Sequence, residues 1–486
     1  MNGGGNRRVR IRCGAATVAE RVHRRRPPIS TLPQTNAEPR PEGHRMSDQD
    51  PHTPEWIFDA DRQAQATLTA QARRILAVLA GLDDGEVPAP LVAAHAGVST
   101  ATARRHLQHL SRIGLAQAGK AEPDTFRVAA GLVVPHPAPP TDAGWARAGA
   151  WRLGCVFQAA RVLGAAALPG GEQLPPDPDR PPRVPAGRAQ ALAWFAGERD
   201  RLTATLEHAG EVGDDDAGAW RLALLMLNIA CFAGPWPAWT RVFHLGMRAA
   251  RGTRHRGAQA MLFEYAGKLT LTGGDPSSAR RFHQASLRIR VEEGDTVAVV
   301  RSINALGVVN LRCGELAEAE VMFEQTLDLA QAAGDEEFAT FALMNLGAVH
   351  ARNGSAERAA RELGEAIRAL RRAGREVYVA NALEDLAAAR RIAGDLPGAL
   401  EAALDAEHEA TNAGVPMFLP GPLIELAAIH AADGHRGVAL ARLDEALAVY
   451  EEIGDEMRVT RTRALITSLL GHQDIDGDPA GDAPRD

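Results

Sequence analysis

A ladder of glycines limits what this chain can become. Gly274, Gly314, Gly354, Gly394 and Gly434 recur every 40 residues, and Gly294, Gly334, Gly374, Gly414 and Gly454 interleave with them, so that a glycine stands every 20 residues. The stretches between them are rich in Ala, Leu, Glu and Arg, which favour helix. Glycine closes a helix because it enters the left-handed conformation without the penalty a Cβ would bring. The pattern predicts helix, turn, helix, turn over residues 258–457. One helical pair of this size cannot bury its apolar face alone, so a fixed period of this kind signals a stacked array.

Alignment at the period gives packing columns as well as punctuation. One column holds Gly267, Gly307, Gly347, Ala387 and Ala427, and an unbroken alanine column follows at Ala279, Ala319, Ala359, Ala399 and Ala439. Four residues further on stand His283, Phe323, Leu363, Ala403 and Leu443, then Ser286, Thr326, Ala366, Ala406 and Ala446. Small residues on both helices predict close backbone approach, with the larger side chain filling the gap between them. These offsets resemble the tetratricopeptide repeat, whose usual period is about 34 residues, so each helix here is expected to be lengthened by about three. A degenerate repeat is expected over 218–257, with Gly234 retained and Leu227 at the small position, and a capping helix over 456–470. Asp275, Asp295, Asp335, Asp395 and Asp455 follow glycines where N-caps belong.

Composition agrees with a mainly α class. At 45% AVILMFWYC and 5% aromatic residues the 486-residue chain carries ample core for two or three domains but little of the β-branched and aromatic excess that sheets favour. The longest apolar run, Leu222 to Gly234, includes Asn228 and falls short of the roughly 20 residues that span a bilayer, so no membrane association is expected and a cytoplasmic site is. The cysteines at 13, 155, 231 and 313 lack metal-ligand spacing and read as isolated reduced thiols. No phosphate-binding loop, zinc-protease motif or nucleophile elbow occurs; no cofactor is predicted, and an enzyme is not expected. The net charge of −7 excludes a protein that coats nucleic acid over its whole surface.

Residues 1–45 carry ten arginines against three glutamates and no apolar period. They belong to a disordered N-terminal extension, 1–60, read either as a basic arm or as an upstream extension before Met46. Over 61–130 the pattern changes. Leu68, Ala72, Ile75, Leu76 and Leu79 mark one helix and Pro88 to His95 a second. Ser99 is placed to cap a third helix from Thr100 to Ile113, and 115–117 with 125–128 form a two-stranded hairpin. This is the layout of a winged helix-turn-helix, which sets its third helix in a major groove when it binds DNA. Arg104, Arg105, Gln108, His109 and Arg112 lie on that helix's outer side, where arginine suits phosphate or guanine and glutamine suits adenine. Residues 46–130 hold eight basic and ten acidic side chains, so a DNA-reading face and a solvated face on a packing module both stay open. His106 and His109 read as a surface pair. A linker with one helix, 142–167, and proline runs occupies 131–187, a helical lead-in 188–217, the repeats 218–470, and a polar tail, expected to be disordered, 471–486.

Taken in order, the winged helix, the proline-interrupted bridge, the helix bearing Ala191-Leu192-Ala193-Trp194-Phe195 and the 40-residue repeats resemble the C-terminal half of bacterial NB-ARC-type signal-transduction ATPase regulators of the AfsR kind. The nucleotide-binding domain of that family has no counterpart in these residues, so ATP switching does not carry over. The resemblance implies a right-handed α-solenoid whose concave face is lined by the first helix of each pair. The inward positions of similar repeats correspond to Lys268, Arg301, Asn304, Arg312, Phe341, Met344, Arg352, Asn381, Glu384 and Arg391, with Glu264 beside Lys268. Arginine and asparagine there suit a peptide backbone or carboxylate. The implied function is a regulatory sensor or adaptor in transcription control, with a protein or peptide in the groove and the winged helix relaying its presence to DNA. The alternative is a scaffold in which both modules bind only protein.

Overall fold

The computed structural model describes residues 65–82, 85–120, 124–174, 177, 179, 182, 184–212, 217–233 and 236–471. The N-terminal extension, the tail beyond Gly471, Gly234 and most of the second proline run lie outside them.

The N-terminal part begins with α1 (Ala70–Leu82), β1 (Val87–Pro88), α2 (Ala89–Ala96) and α3 (Thr100–Arg112), followed by β2 (Ala116–Ala118) and β3 (Thr125–Val128). Ser99 caps α3 by accepting from the Thr102 amide at 3.3 Å, and Gly97 ends α2 in the left-handed conformation. The hairpin is joined by a third strand: β1 pairs antiparallel with β3, giving the order β1-β3-β2. The sequence reading assigned Pro88 to the helix. Pro88 instead takes an extended conformation as the residue before the first helical turn, because its fixed φ suits both a strand end and a helix start.

Next comes α4 (Asp142–Val162), whose faces serve two cores. Ala148, Trp151 and Cys155 pack with α1–α3, whereas Val156, Phe157, Ala159 and Ala160 pack with the helices that follow. A helix buried on both sides needs apolar residues all round rather than one stripe, which is how α4 reads. Behind it are α5 (Arg188–Val212), α6 (Ala217–Ala230) and α7 (Thr240–Gly252), with Phe195, Leu202, Trp220 and Leu224 fully buried.

The array is α8 (Arg256–Thr272), α9 (Pro276–Glu293), α10 (Thr296–Cys313), α11 (Leu316–Ala333), α12 (Glu336–Arg352), α13 (Ala356–Arg372), α14 (Glu376–Ile392), α15 (Leu396–Ala413), α16 (Pro420–Ala432), α17 (Arg436–Glu452) and α18 (Glu456–Gly471). It is a solenoid of tetratricopeptide-like helical pairs. All ten ladder glycines have positive φ, between 63° and 84°. The five aspartates cap their helices through backbone amides at 2.9–3.1 Å. The packing columns meet as their residue sizes require: a Cβ added to Gly267 would lie 2.6 Å from the His283 ring, to Gly307 2.6 Å from Phe323, and to Gly347 2.5 Å from Leu363.

The solenoid curves until distant elements meet. A Cβ on Gly274, in the first turn of the array, would lie 3.4 Å from Met457 at the start of α18. Arg188 of α5 bonds Glu376 at 3.1 Å and the Ala413 carbonyl at 3.3 Å. The 3-10 turn Pro416–Phe418 reaches the same region, with Phe418 6.1 Å from Phe232 between ring centroids.

The two kinds of glycine predict different responses. Gly307→Leu must displace Phe323 and should cost about 1–3 kcal/mol through overpacking. Gly314→Ala meets open space and should cost about 1–2 kcal/mol through its positive φ alone. Urea denaturation of both variants checks this; a neutral Gly307→Leu would refute the close approach.

Candidate functional site

The repeats owe their concave face to the register of their first helices. Positions one turn apart on α8, α10, α12 and α14 point toward the axis, while the alanine columns point at the partner helix. The resulting cavity has a volume of about 620 Å³. Nine of the ten sequence-predicted groove residues line it: Lys268, Arg301, Asn304, Arg312, Phe341, Met344, Arg352, Asn381 and Glu384. Arg391 does not. Its guanidinium turns to Glu425 at 2.6 Å, and it is Glu425 that reaches the cavity.

Three contributions were not legible in the repeat pattern. The helix α18, expected only as a cap, supplies Arg458, Arg461, Thr462 and Leu465; the Pro416–Phe418 turn supplies Met417 and Phe418; α17 supplies Tyr450. They arrive because the superhelix brings its last helix over its first pair, a tertiary consequence that no local period encodes.

The middle of the cavity is amide and aromatic. Asn345 donates to Asn304 at 3.0 Å, and the Phe341 ring meets Tyr378 at a tilt of 55° with centroids 4.7 Å apart. Toward α8, Glu264 is held by Lys268 at 2.7 Å and by buried Arg290 at 2.5 Å. Burial alone would raise the Glu264 carboxyl, but these two cations overcome it and hold the group well below the usual carboxylate range. Burial lowers His283, behind them, to about 4, so its ring is neutral at physiological pH. Arg301 lies over the Phe338 ring at 5.1 Å, and its Nε has no hydrogen-bond acceptor.

Toward the other end, Arg312, Arg352 and Arg458 face Glu384 and Asp385. Arg312 and Arg352 both keep accessible surface, yet protein fills most of the volume around Arg312. Burial and the repulsion of Arg458 and Arg352 accordingly depress Arg312. Glu384 and Asp385 have no ion-pair partner among the described residues. Burial, reinforced by Asp385 and Glu425, pushes Glu384 up to about 8 against the opposing pull of Arg312 and Arg352; burial likewise raises Asp385 to about 6. The site can therefore hold a partly protonated carboxyl among several permanent cations.

On α3 the predicted residues divide. Arg105, Gln108, His109 and Arg112 are exposed, whereas Ala103, Leu107 and Leu110 are buried. Arg104 is drawn aside by a bidentate pair with Asp124, Nε to Oδ1 at 2.8 Å and Nη2 to Oδ2 at 2.7 Å. Asp124 adopts a positive φ of 65° at the hairpin turn, a conformation that aspartate tolerates better than most residues. Among the described residues there is no group of three or more potential metal ligands, and no helix is long and apolar enough to cross a membrane.

Glu384 generates a pH prediction. Its folded carboxyl keeps its proton to about 8, against an ordinary value of 4.5. The cost to the folded state is therefore absent at low pH, grows as pH rises through that window, and is complete above it. Glu384→Gln has no proton to lose, so its stability relative to the parent should increase between about pH 5 and 8, by more than about 1.4 kcal/mol, the worth of one pKa unit. Denaturation curves at stepped pH check this, and parallel pH profiles would contradict it.

Residues 306–389 and 400–473 match the family described as anaphase-promoting complex subunit 5, about a third of the chain. Among curated proteins none matches. Solved structures with similar helical arrays include a Rap protein complexed with competence and sporulation factor, at 13% identity, TM-score 0.47, 59% of this chain and 84% of that one. NprR in complex with its cognate peptide NprX aligns at 11% identity and TM-score 0.44, over 58% of this chain and 86% of that one. A STAND signal-transduction ATPase with a tetratricopeptide repeat sensor from Pyrococcus horikoshii aligns at 12% identity and TM-score 0.36, over 86% of this chain and 68% of that one. None of these likenesses decides what this chain binds.

Proposed function

We propose that the protein is a regulatory adaptor: the repeat cavity binds a peptide or a segment of a protein partner, and the N-terminal module, a winged helix-turn-helix of the kind found in AfsR-like regulators, relays that state in transcription control. One observation carries the proposal. Residues spread over more than 100 positions of sequence, from Lys268 to Glu384, converge on one cavity that combines asparagine amides, aromatic rings and arginines. That mixture suits a peptide, whose backbone needs amide partners and whose side chains need both apolar and charged contacts.

The relay runs through α4. Because its two faces belong to different cores, a change in the packing of α6 and α8 reaches α2 and α3 through one rigid element rather than across a flexible strand. The ligand would act by favouring one of two arrangements of these helices.

DNA is the proposed partner of α3, through Arg105, Gln108, His109 and Arg112. The alternative, a scaffold that binds only protein, is favoured by one specific observation: Asp124 at the hairpin turn already neutralises Arg104 of α3. Gel shifts on the full chain at low salt separate the two readings. Under the DNA reading the parent retards duplex DNA, and Arg105→Ala/Arg112→Ala lowers the magnitude of the salt slope by about 1 for each arginine lost. Absence of retardation at low salt would remove DNA from the account and leave the scaffold.

A further inference from the structure

The cavity is charged unevenly. Its lining carries six permanent cations, Lys268, Arg301, Arg312, Arg352, Arg458 and Arg461, against the four carboxylates Glu264, Glu384, Asp385 and Glu425. Two of the carboxylates are already satisfied. Glu264 is bound by Lys268 and by Arg290, which lies behind the wall, and Glu425 by Arg391, which also lies outside the lining. Most of the cavity's cations have no such partner. Among the described residues Arg301, Arg312, Arg352 and Arg461 form no ion pair, and Arg458 pairs at 3.2 Å with Asp455, the residue that caps its own helix.

Guanidinium groups gathered without carboxylates repel one another, and apart from the Arg352 Nη1 bond to the Leu311 carbonyl at 2.9 Å they make no ion pair that would offset this among the described residues. Glu384 and Asp385 line the same cavity as Arg312 and Arg352 and feel their charge, but form no ion pair with them. The buried Nε of Arg301 points to the same need: its planar face is occupied by Phe338 while this donor lacks an acceptor. A planar fork of donors is best matched by a carboxylate.

We propose that the ligand of this cavity is an acidic peptide, its carboxylates received by Arg301, Arg312, Arg352 and Arg461 and its backbone amides by Asn304, Asn345 and Asn381. The assignment rests on the peptide-binding reading above and adds its charge. A free polyanion would use the arginines but not the asparagines, nor the aromatic contact of Phe341 with Tyr378 midway along the cavity. The helix α18 belongs to the site through Arg458 and Arg461, and is not only a cap.

The test pans a random linear heptapeptide library against the full chain, then titrates the strongest synthetic peptide by calorimetry against the parent and against Arg312→Gln/Arg461→Gln. Both arginines keep accessible surface and have no ion pair to lose, so the variant should fold, as a melting curve verifies. Expected are recovered peptides with net negative charge, and binding at least about tenfold weaker in the variant, as loss of two charge-assisted hydrogen bonds requires. Neutral or basic peptides, or equal affinity for the variant, would overturn the charge assignment while leaving the peptide reading in place. Recovery of no peptide that Asn381→Trp abolishes would overturn both. Citrate binding as tightly as the peptide would overturn the choice of a peptide.

Discussion

Everything in the array depends on a small residue at the close approach of each helical pair, faced by a larger one in four of the five. Gly267, Gly307 and Gly347 leave no room for a Cβ because His283, Phe323 and Leu363 occupy that space. In the fourth pair the facing residues are Ala387 and Ala403, both fully buried, so methyl groups share the same gap. Interiors packed near crystal density permit little else: removing the large partner leaves a void, and enlarging the small one forces the helices apart. Repeated at a fixed spacing, this contact fixes the angle within each pair and hence the curvature of the whole array.

Curvature then produces the site. A straighter stack would leave α18 far from α8, and the first helices would line an open trough. Here Met457 reaches toward Gly274 and the cavity is lined from both ends of the array. Enclosure is also what gives the charged groups their character. The same carboxyl that would ionise near 4.5 in water keeps its proton to about 8 at Glu384, because surrounding protein withholds solvent and neighbouring acids add repulsion. Selectivity for the charge of a ligand is strongest under such conditions, since the screening that weakens surface pairs is reduced.

The sequence carried those features that repeat or obey local chemistry. Glycine stops, aspartate caps and facing columns each follow from one residue's conformational or steric limits, and nine of the groove residues follow once the helix register is known. What it did not carry depends on closure in three dimensions. Arg458, Arg461 and Tyr450 enter the cavity by virtue of superhelical curvature, and Arg391 leaves it because Glu425 on the next pair offers a carboxylate at 2.6 Å. Likewise, the pairing of Arg104 with Asp124 requires the hairpin turn to fold back over α3, and β1 is two residues long, too short for any periodic signal.

Closure of the array is the claim on which the rest stands, and a distance across it is its most direct test. Spin labels at Ser277, in the first turn of α9, and at Glu456, at the start of α18, occupy exposed positions beside Gly274 and Met457. Double electron–electron resonance on the full chain, with the accessible cysteines replaced, should give one short and narrow distance distribution. A long or broad distribution would mean an open spiral, and the cavity lined from both ends of the array would not exist in solution.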